Sequence, residues 1–156
     1  MFRGASSINL DAKGRIAIPV RYRDALRDHQ DPAMAGRLVI TVDINSACLL
    51  LYPLWEWVKV ESKLLTLSDT QPTERALKRR LLGHAHELEL DTHGRLLLPP
   101  PLRVHAGLSK KAMLVGQLNK FELWDEQSWM QQLEDDQQVI QNSALDANER
   151  LADFSL

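Results

Sequence analysis

The segment INLDAKGRIAIP, residues 8–19, recurs as LELDTHGRLLLP, residues 88–99. The shared pattern is apolar-x-Leu-Asp-x-x-Gly-Arg-apolar-x-apolar-Pro. It extends to an arginine four residues past each proline, Arg23 and Arg103, at a constant offset of 80 residues. Repetition of this kind marks a supersecondary unit that the chain uses twice.

A looser match follows the first one. The matched pairs are LVI 38–40 with MLV 113–115, LLLY 49–52 with FELW 121–124, and Trp57 with Trp129. The last two pairs are offset by 72 residues, so the first copy carries about eight extra residues. We expect these in the polar stretch 29–32. The sequence therefore predicts a duplicated module.

Each repeated segment predicts two strands around a tight turn. Apolar and polar residues alternate on both sides, which is the period of half-buried strands. Asp11 and Asp91 are interpreted as turn-forming, because an aspartate side chain can accept main-chain N–H bonds nearby. Gly14 and Gly94 supply a left-handed conformation without Cβ strain. The predicted hairpin tips are residues 11–15 and 91–95.

The remaining elements follow from proline positions and helical spacing. Short helices are expected around 20–28 and from Leu102 to Ala106, because proline ends a strand and suits a first helical turn. The other expected elements are strands near 38–42, 48–52, 112–116 and 120–124, and helices through Trp57–Leu67, from Pro72 to near Gly83, and through Trp129–Ile140.

These elements predict a mainly β fold with peripheral helices (α+β), organised around two internal repeats. One repeat cannot bury both faces of its strands, whereas two can complete a single double-split β-barrel by exchanging hairpins. The predicted organisation is a first repeat over 1–57, a helical connector over 58–82, a second repeat over 83–129, and a helical to mobile acidic tail over 130–156.

Composition narrows the function classes. The 156 residues are 44% apolar and 26% charged, as in ordinary globular proteins. No apolar run approaches the roughly 20 residues that span a bilayer, and the N-terminus lacks the apolar stretch of a secretory signal. A single cysteine, Cys48, excludes an intrachain disulfide and fits a reducing cytoplasm.

Charge is distributed unevenly along the chain. The net charge is −2, but residues 1–121 carry a net +6 and residues 122–156 a net −8. A phosphate backbone responds to local charge, because charges beyond about 10 Å are largely screened at physiological salt. A nucleic-acid partner is therefore compatible with the acidic overall balance.

At the Asp-x-Lys-Gly-Arg-Ile-x-Ile-Pro segment, residues 11–19, the chain resembles the AbrB-type swapped-hairpin fold, in which two copies interlock. Two copies in one chain of this length resemble the MraZ family. The further segments that carry the resemblance are MFRG 1–4, LLGHA 81–85 and NKFELW 119–124.

The resemblance implies a transcriptional regulator, typically a repressor, of the cell-division and cell-wall operon that contains its own gene. It also implies a ring-shaped homo-oligomer that binds short tandem G-containing repeats of promoter DNA. The expected location is the cytoplasm, in association with the nucleoid. No cofactor, metal, membrane or small-molecule substrate is expected.

Arg15 is the principal candidate for contact with DNA. Arginine can donate two hydrogen bonds to a guanine edge. The alternative is a structural ion pair with Asp11, which Arg95 at the equivalent position favours. The repeats differ, because the first has Lys13 at its tip where the second has His93, and the second continues with three prolines, residues 99–101. We therefore expect the first repeat to make the primary contact and Arg95 to be a secondary candidate.

Lys13 and Arg3 are further candidates, suited to phosphate contacts that position a protein without reading sequence, if the N-terminus lies beside the tip. The alternative for both is a solvated surface charge. Arg21 and Arg23 are candidates on the following helix. Residues two apart do not share a helical face, so at most one of them should point with Arg15.

Other features have ordinary explanations. The basic cluster of residues 75–80 fits a solvated helix face or a surface between subunits, and His84 with His86 lacks the further ligands of a metal site. An enzyme is disfavoured, because Asp11 and Asp91 lie beside basic residues and suit turns better than acid–base chemistry. The remaining alternative is an antitoxin-like or scaffold interaction module.

Overall fold

The computed structural model describes residues 1–142 and 150–154, which divide into two compact units, Met1–Glu126 and Gln127–Leu156. The described elements, in chain order, are β1 (Phe2–Asn9), β2 (Arg15–Ala17), α1 (Val20–Arg27), β3 (Arg37–Val42), β4 (Leu49–Pro53), α2 (Leu54–Leu64), α3 (Pro72–Gly83), β5 (His86–Glu89), β6 (Arg95–Leu97), α4 (Pro100–His105), β7 (Lys111–Leu118), β8 (Phe121–Asp125) and α5 (Glu126–Asn142).

The strands form a six-stranded antiparallel sheet and a two-stranded ribbon. The order in the large sheet is β1-β7-β8-β4-β3-β5, and β2 pairs with β6 in the ribbon. The N-terminal strand of each repeat pairs with the other repeat, because β1 lies along β7 and β5 lies along β3. The prediction of an α+β fold built from two interlocked repeats is confirmed.

The hairpin predicted within each repeat is only partly present. Asp11 N donates to the Arg15 carbonyl, but the two arms share only one isolated bridge, between Leu10 and Ile16, instead of a ladder. Only three residues of β2 precede the bend into Pro19. Pairing with β6 lets Ile16 reach the core beside its counterpart Leu96, and both side chains are fully buried.

The register of the sheet corrects the alignment of the repeats. Ile8 pairs with Ala112, and its counterpart Leu88 pairs with Leu38. Leu38 is therefore equivalent to Ala112, at an offset of 74, and the sequence match of 38–40 with 113–115 was wrong by one residue. Six of the eight extra residues lie between α1 and β3, where they were expected, and two lie between β3 and β4.

The core joins the ribbon to the large sheet. Inward side chains of the ribbon strands and the residues that follow them, Ile16, Ile18, Leu96 and Leu98, are fully buried. They belong to one cluster with inward residues of β3, β4, β7 and β8, such as Leu114. Removing this much apolar surface from water is the main driving force for the interlocked arrangement.

The helices lie close to their predicted positions. α1 buries Tyr22 and Leu26, one turn apart, and α2 buries Trp57 against Val39 and Tyr52. α2 ends at Leu64, earlier than predicted from the spacing to Leu67, which lies in a turn. In the second unit α5 runs to Asn142, and the rest of the predicted mobile tail, residues 143–149 and 155–156, lies outside the described residues.

Candidate nucleic-acid interface

The first turn is held by the side chain of Asp11. Its Oδ1 accepts hydrogen bonds from the main-chain N–H groups of Lys13, at 3.0 Å, and Arg15, at 2.8 Å. Its Oδ2 accepts from Arg15 Nε at 2.7 Å. The Arg15 main-chain N–H first, and then the Arg15 guanidinium and the Lys13 N–H, hold the pKa of the Asp11 carboxyl below its usual value. The charged carboxylate therefore stabilises the turn.

The second turn repeats this geometry around Asp91. Asp91 Oδ1 accepts from the N–H groups of His93, at 2.9 Å, and Arg95, at 2.8 Å, and Oδ2 accepts from Arg95 Nε at 2.8 Å. The Arg95 N–H and guanidinium, with the His93 N–H, lower the pKa of Asp91 to about 2. The two turns thus have the same hydrogen-bonded conformation, which occurs once in each repeat.

Both turns need glycine at the fourth position. Gly14 has φ +83° and Gly94 has φ +73°, in the left-handed region that side chains with a Cβ adopt at a cost. Each glycine also faces an arginine of the other repeat. A Cβ on Gly14 would lie 2.6 Å from Arg103 Cζ, and one on Gly94 would lie 2.2 Å from Arg23 Nε.

The ribbon between the turns has one buried and one exposed face. Residues opposite each other are Arg15 with Leu97, Ile16 with Leu96, and Ala17 with Arg95. Ile16 and Leu96 face the core, so Arg15, Ala17, Arg95 and Leu97 share the outer face. We call residues 13–17 and 93–97 the outer ribbon. Arg15 and Arg95 are diagonal neighbours on this face, and the Cα atoms of such neighbours lie roughly 7–8 Å apart.

The two arginines are partly exposed while held by their aspartates. The side chains of Arg15 and Arg95 are 28% and 32% exposed. Each guanidinium uses Nε for the aspartate, and its Nη atoms make no hydrogen bond with any described residue. The ion pair that was the structural alternative is therefore present, and it leaves each Nη pair available for another acceptor. Fixed orientation favours selective contact, because less side-chain entropy is lost on binding.

Lys13 and His93 occupy equivalent exposed positions at the two tips. The outer ribbon therefore presents two arginines, one lysine and one histidine. Leu97, between the arginines, is 59% exposed. A duplex groove presents phosphates at its edges and base edges at its floor, so exposed basic side chains on this face suit contact with either.

The other sequence-predicted residues do not all join this surface. Arg3 is exposed near the start of β1, eight residues before Asp11. At the rise of a strand, eight residues span roughly 25 Å. Arg3 therefore does not lie alongside the tip. Arg21 Nη2 donates to Ser6 Oγ at 2.6 Å, and its guanidinium covers the Tyr22 ring. This places Arg21 on the flank, beside β1.

Arg23 is directed under the second turn. Its Nε donates to the carbonyl of Ile18 at 2.6 Å, and its side chain packs against Gly94. Sequence reasoning did not place Arg103 in the site, although it packs against Gly14 in the same way. Nor did it include Arg27, whose Nη2 donates to the Asp91 carbonyl at 2.8 Å. The sequence feature that could have identified Arg103 as part of the site is the arginine that both repeats carry four residues after the proline.

Comparison with known proteins places this arrangement in a family. The profile of the family described as "MraZ protein, putative antitoxin-like" matches the chain twice, over residues 1–80 and 81–154. The chain belongs to the MraZ family. Proteins named transcriptional regulator MraZ from Shewanella denitrificans strain OS217 and Shewanella baltica strain OS185 are 67% and 68% identical to it, over the full length of both chains in each comparison.

The resemblance of the repeated motif to MraZ proteins is thereby confirmed. MraZ relatives of this chain are named as regulators of transcription, and not as enzymes. Within residues 1–142 and 150–154, no helix is long and apolar enough to cross a membrane, and no group of three or more potential metal ligands occurs.

Proposed function

We propose that this chain binds duplex promoter DNA through the outer ribbon and regulates transcription. The observation that carries the proposal is the pair of arginines on the outer face of the two-stranded ribbon formed by β2 and β6. A two-stranded ribbon fits the major groove of B-form DNA, where arginine can bond guanine O6 and N7. The Nη atoms of Arg15 and Arg95 make no hydrogen bond with a described residue.

Roles within the interface follow from position. We assign base contact to Arg15, with Lys13 beside it on the phosphates, and a secondary contact to Arg95. Arg21 on the flank is a phosphate contact, and Arg3 reaches DNA only if the duplex extends along β1. We keep the first repeat as the primary reader, because a lysine tip is a stronger phosphate donor than the histidine of the second repeat.

The finer assignment rests on family membership. We propose a homo-oligomeric ring that binds tandem short promoter repeats and represses the division and cell-wall operon containing its own gene, in the cytoplasm at the nucleoid. One ribbon offers few contacts, so one subunit should bind weakly. A ring that presents several ribbons raises the effective concentration of each next contact, which makes repeated DNA sites advantageous.

The test is binding of the purified protein to DNA from its own upstream promoter at two salt concentrations. Arg15→Ala should weaken binding by about 1–3 kcal/mol, roughly tenfold to a hundredfold, and Arg95→Ala by less. Arg75→Ala on α3 is the matched control, since Arg75 is an exposed arginine outside the outer ribbon. Each variant must keep the assembly mass of the wild type.

Three results would count against parts of the proposal. Wild-type binding that survives Arg15→Ala and Arg95→Ala but fails in Arg75→Ala would move the interface to the basic cluster of α3. Equal affinity for one promoter repeat and for several would contradict the ring mechanism. No wild-type binding by an intact oligomer would reject DNA regulation through this surface.

A second candidate is an antitoxin-like or scaffold role. The words "antitoxin-like" in the family description favour testing it. A small protein that co-purifies in fixed stoichiometry with the chain expressed in its native host, together with absent DNA binding, would support this function in place of the first.

A further inference from the structure

Each turn of the outer ribbon rests on main chain from the opposite repeat. The Ile18 N–H donates to the Gly94 carbonyl, and the Leu98 N–H donates to the Gly14 carbonyl, both at 2.9 Å. The glycine carbonyl of one turn is thus fixed by the residue that precedes the proline of the other repeat. Each turn is thus hydrogen-bonded to the segment that leaves the other turn.

An arginine completes each of these crossed supports. The closest approaches to an added Cβ on Gly94 would come from Nε, Cδ and Cζ of Arg23, and those on Gly14 from Cζ, Nη1 and Nε of Arg103. Every one of these distances is 3.0 Å or less. Each guanidinium therefore fills the space that glycine leaves open, directly beneath the tip residue of the other repeat.

The two arginines differ in how they are anchored. Arg23 Nε donates to the Ile18 carbonyl at 2.6 Å. Arg103 Nε is buried and makes no hydrogen bond with any described residue. A buried N–H without a partner is costly. Among the described residues, the contact that Arg103 makes beneath Gly14 is therefore one of packing and not of hydrogen bonding through Nε.

We propose that Arg103 is the positioning residue for the first DNA-reading turn, and that Arg23 is the positioning residue for the second. Arg103 acts from the second repeat by fixing Gly14 and, through it, the direction of the neighbouring Arg15. Arg23 thereby takes a supporting role in place of the DNA contact expected from sequence. The effect on DNA rests on the proposed function, whereas the crossed support itself does not.

The crossed support is tested first without DNA, by hydrogen–deuterium exchange of the intact protein. Arg103→Ala should raise exchange in the peptide covering 11–17 and leave 91–97 close to the wild type. Arg23→Ala should do the reverse. Val104→Ala and Asp24→Ala are matched controls, because each lies next to the tested arginine and is exposed to solvent. If each substitution loosens only the turn of its own repeat, or neither turn, the proposal is wrong.

Loss of folding would not leave the question open, because a second variant is available. Arg103→Lys keeps the charge and most of the stem but lacks the planar guanidinium that fits under Gly14. It should show the same selective exchange at 11–17 in a milder form. A lysine variant that behaves as the wild type would show that charge alone is enough, which overturns positioning by shape.

Measuring DNA binding by the Arg103→Ala variant distinguishes a positioning role from direct contact with phosphate. Arg103 lines an open cavity of about 420 Å³ together with Lys13, so it must be asked whether Arg103 itself touches DNA. A positioning role predicts that Arg103→Ala weakens binding to promoter DNA by roughly tenfold. Binding to scrambled DNA and the salt dependence of binding should stay unchanged, and the double variant should bind no more weakly than Arg15→Ala alone.

A phosphate contact predicts the opposite pattern. Binding to promoter and scrambled DNA would fall together, the salt slope would decrease by about one, and the loss would add to that of Arg15→Ala. That pattern overturns the positioning role. If the wild type binds no DNA, the proposed function fails while the exchange experiment still decides the crossed support.

Discussion

The two turns of the outer ribbon share one pattern of hydrogen bonds and differ in the side chain exposed at the tip and in the arginine beneath it. In both, one aspartate accepts two main-chain N–H bonds and one guanidinium bond at closely similar distances. The tips differ, with Lys13 in one and His93 in the other. The supports differ as well, because Arg23 donates to the Ile18 carbonyl and Arg103 Nε has no equivalent bond.

This comparison separates structural from functional residues within one motif. The aspartate and glycine do the same work in both turns, so their repetition follows from the geometry of the turn. The tip residue is free to diverge, because its side chain is exposed and its main-chain N–H alone serves the turn. Divergence at the tip is therefore where the two repeats can take unequal shares of DNA binding.

The largest expected effect comes from the turn glycines. Gly94→Ala should lower the free energy of unfolding by about 2–4 kcal/mol, since a left-handed alanine costs roughly 1–2 kcal/mol and the added Cβ meets Arg23, whose Nε is tied to the Ile18 carbonyl. Gly14→Ala should cost less, about 1–3 kcal/mol, because the end of the Arg103 side chain can move aside. Denaturant unfolding at fixed protein concentration measures this. Equal mild losses at both sites would contradict the tight packing.

Two other glycines serve as matched controls. Gly107 has φ +58° and an added Cβ would meet no atom within 4 Å, so Gly107→Ala should cost only the backbone term, about 1–2 kcal/mol. Gly83 has the same open space at the end of α3 without a positive φ. Gly83→Ala should be neutral or stabilising by up to about 1 kcal/mol, because alanine is the better helix former.

A smaller effect is expected from exchanging the tips. Lys13→His should lower the salt dependence of DNA binding by about one counterion, and His93→Lys should raise it by a similar amount. The double exchange should restore the wild-type slope if the two tips are equivalent. A double variant that keeps the slope of Lys13→His alone would show that only the first repeat approaches the phosphates.

The smallest expected effect is the loss of stability at low pH that comes from protonation of Asp91. The pKa of Asp91 is about 2 in the folded chain, below the value near 3.9 of an unfolded aspartate. Its charged form therefore stabilises the fold above about pH 4, and that stability is lost as the pH falls toward 2. The stability gap between wild type and Asp91→Asn should narrow over this interval in denaturant unfolding. A gap that stays constant from pH 6 to 2 would contradict the role of the carboxylate.

Sequence reasoning located most elements because their signals are local. Alternation, turn residues and prolines identified the strands and the two turns, and the 80-residue repeat gave the interlocked fold. It misaligned 38–40 with 113–115, because apolar runs such as LVI and MLV look alike at neighbouring offsets. Only hydrogen-bond pairing of Leu38 with Leu88 and of Ile8 with Ala112 fixes the register.

The sequence by itself determined the duplication, the turn chemistry of Asp11 and Asp91, and the presence of an arginine at each repeated position. Only the tertiary structure decided the direction in which those arginines act. Arg15 and Arg95 meet on one exposed face because β2 pairs with β6, while Arg23 and Arg103 pass beneath the turn of the opposite repeat. These contacts join residues some 70 to 90 positions apart, and no local pattern encodes which side of an interlocked pair a side chain will face.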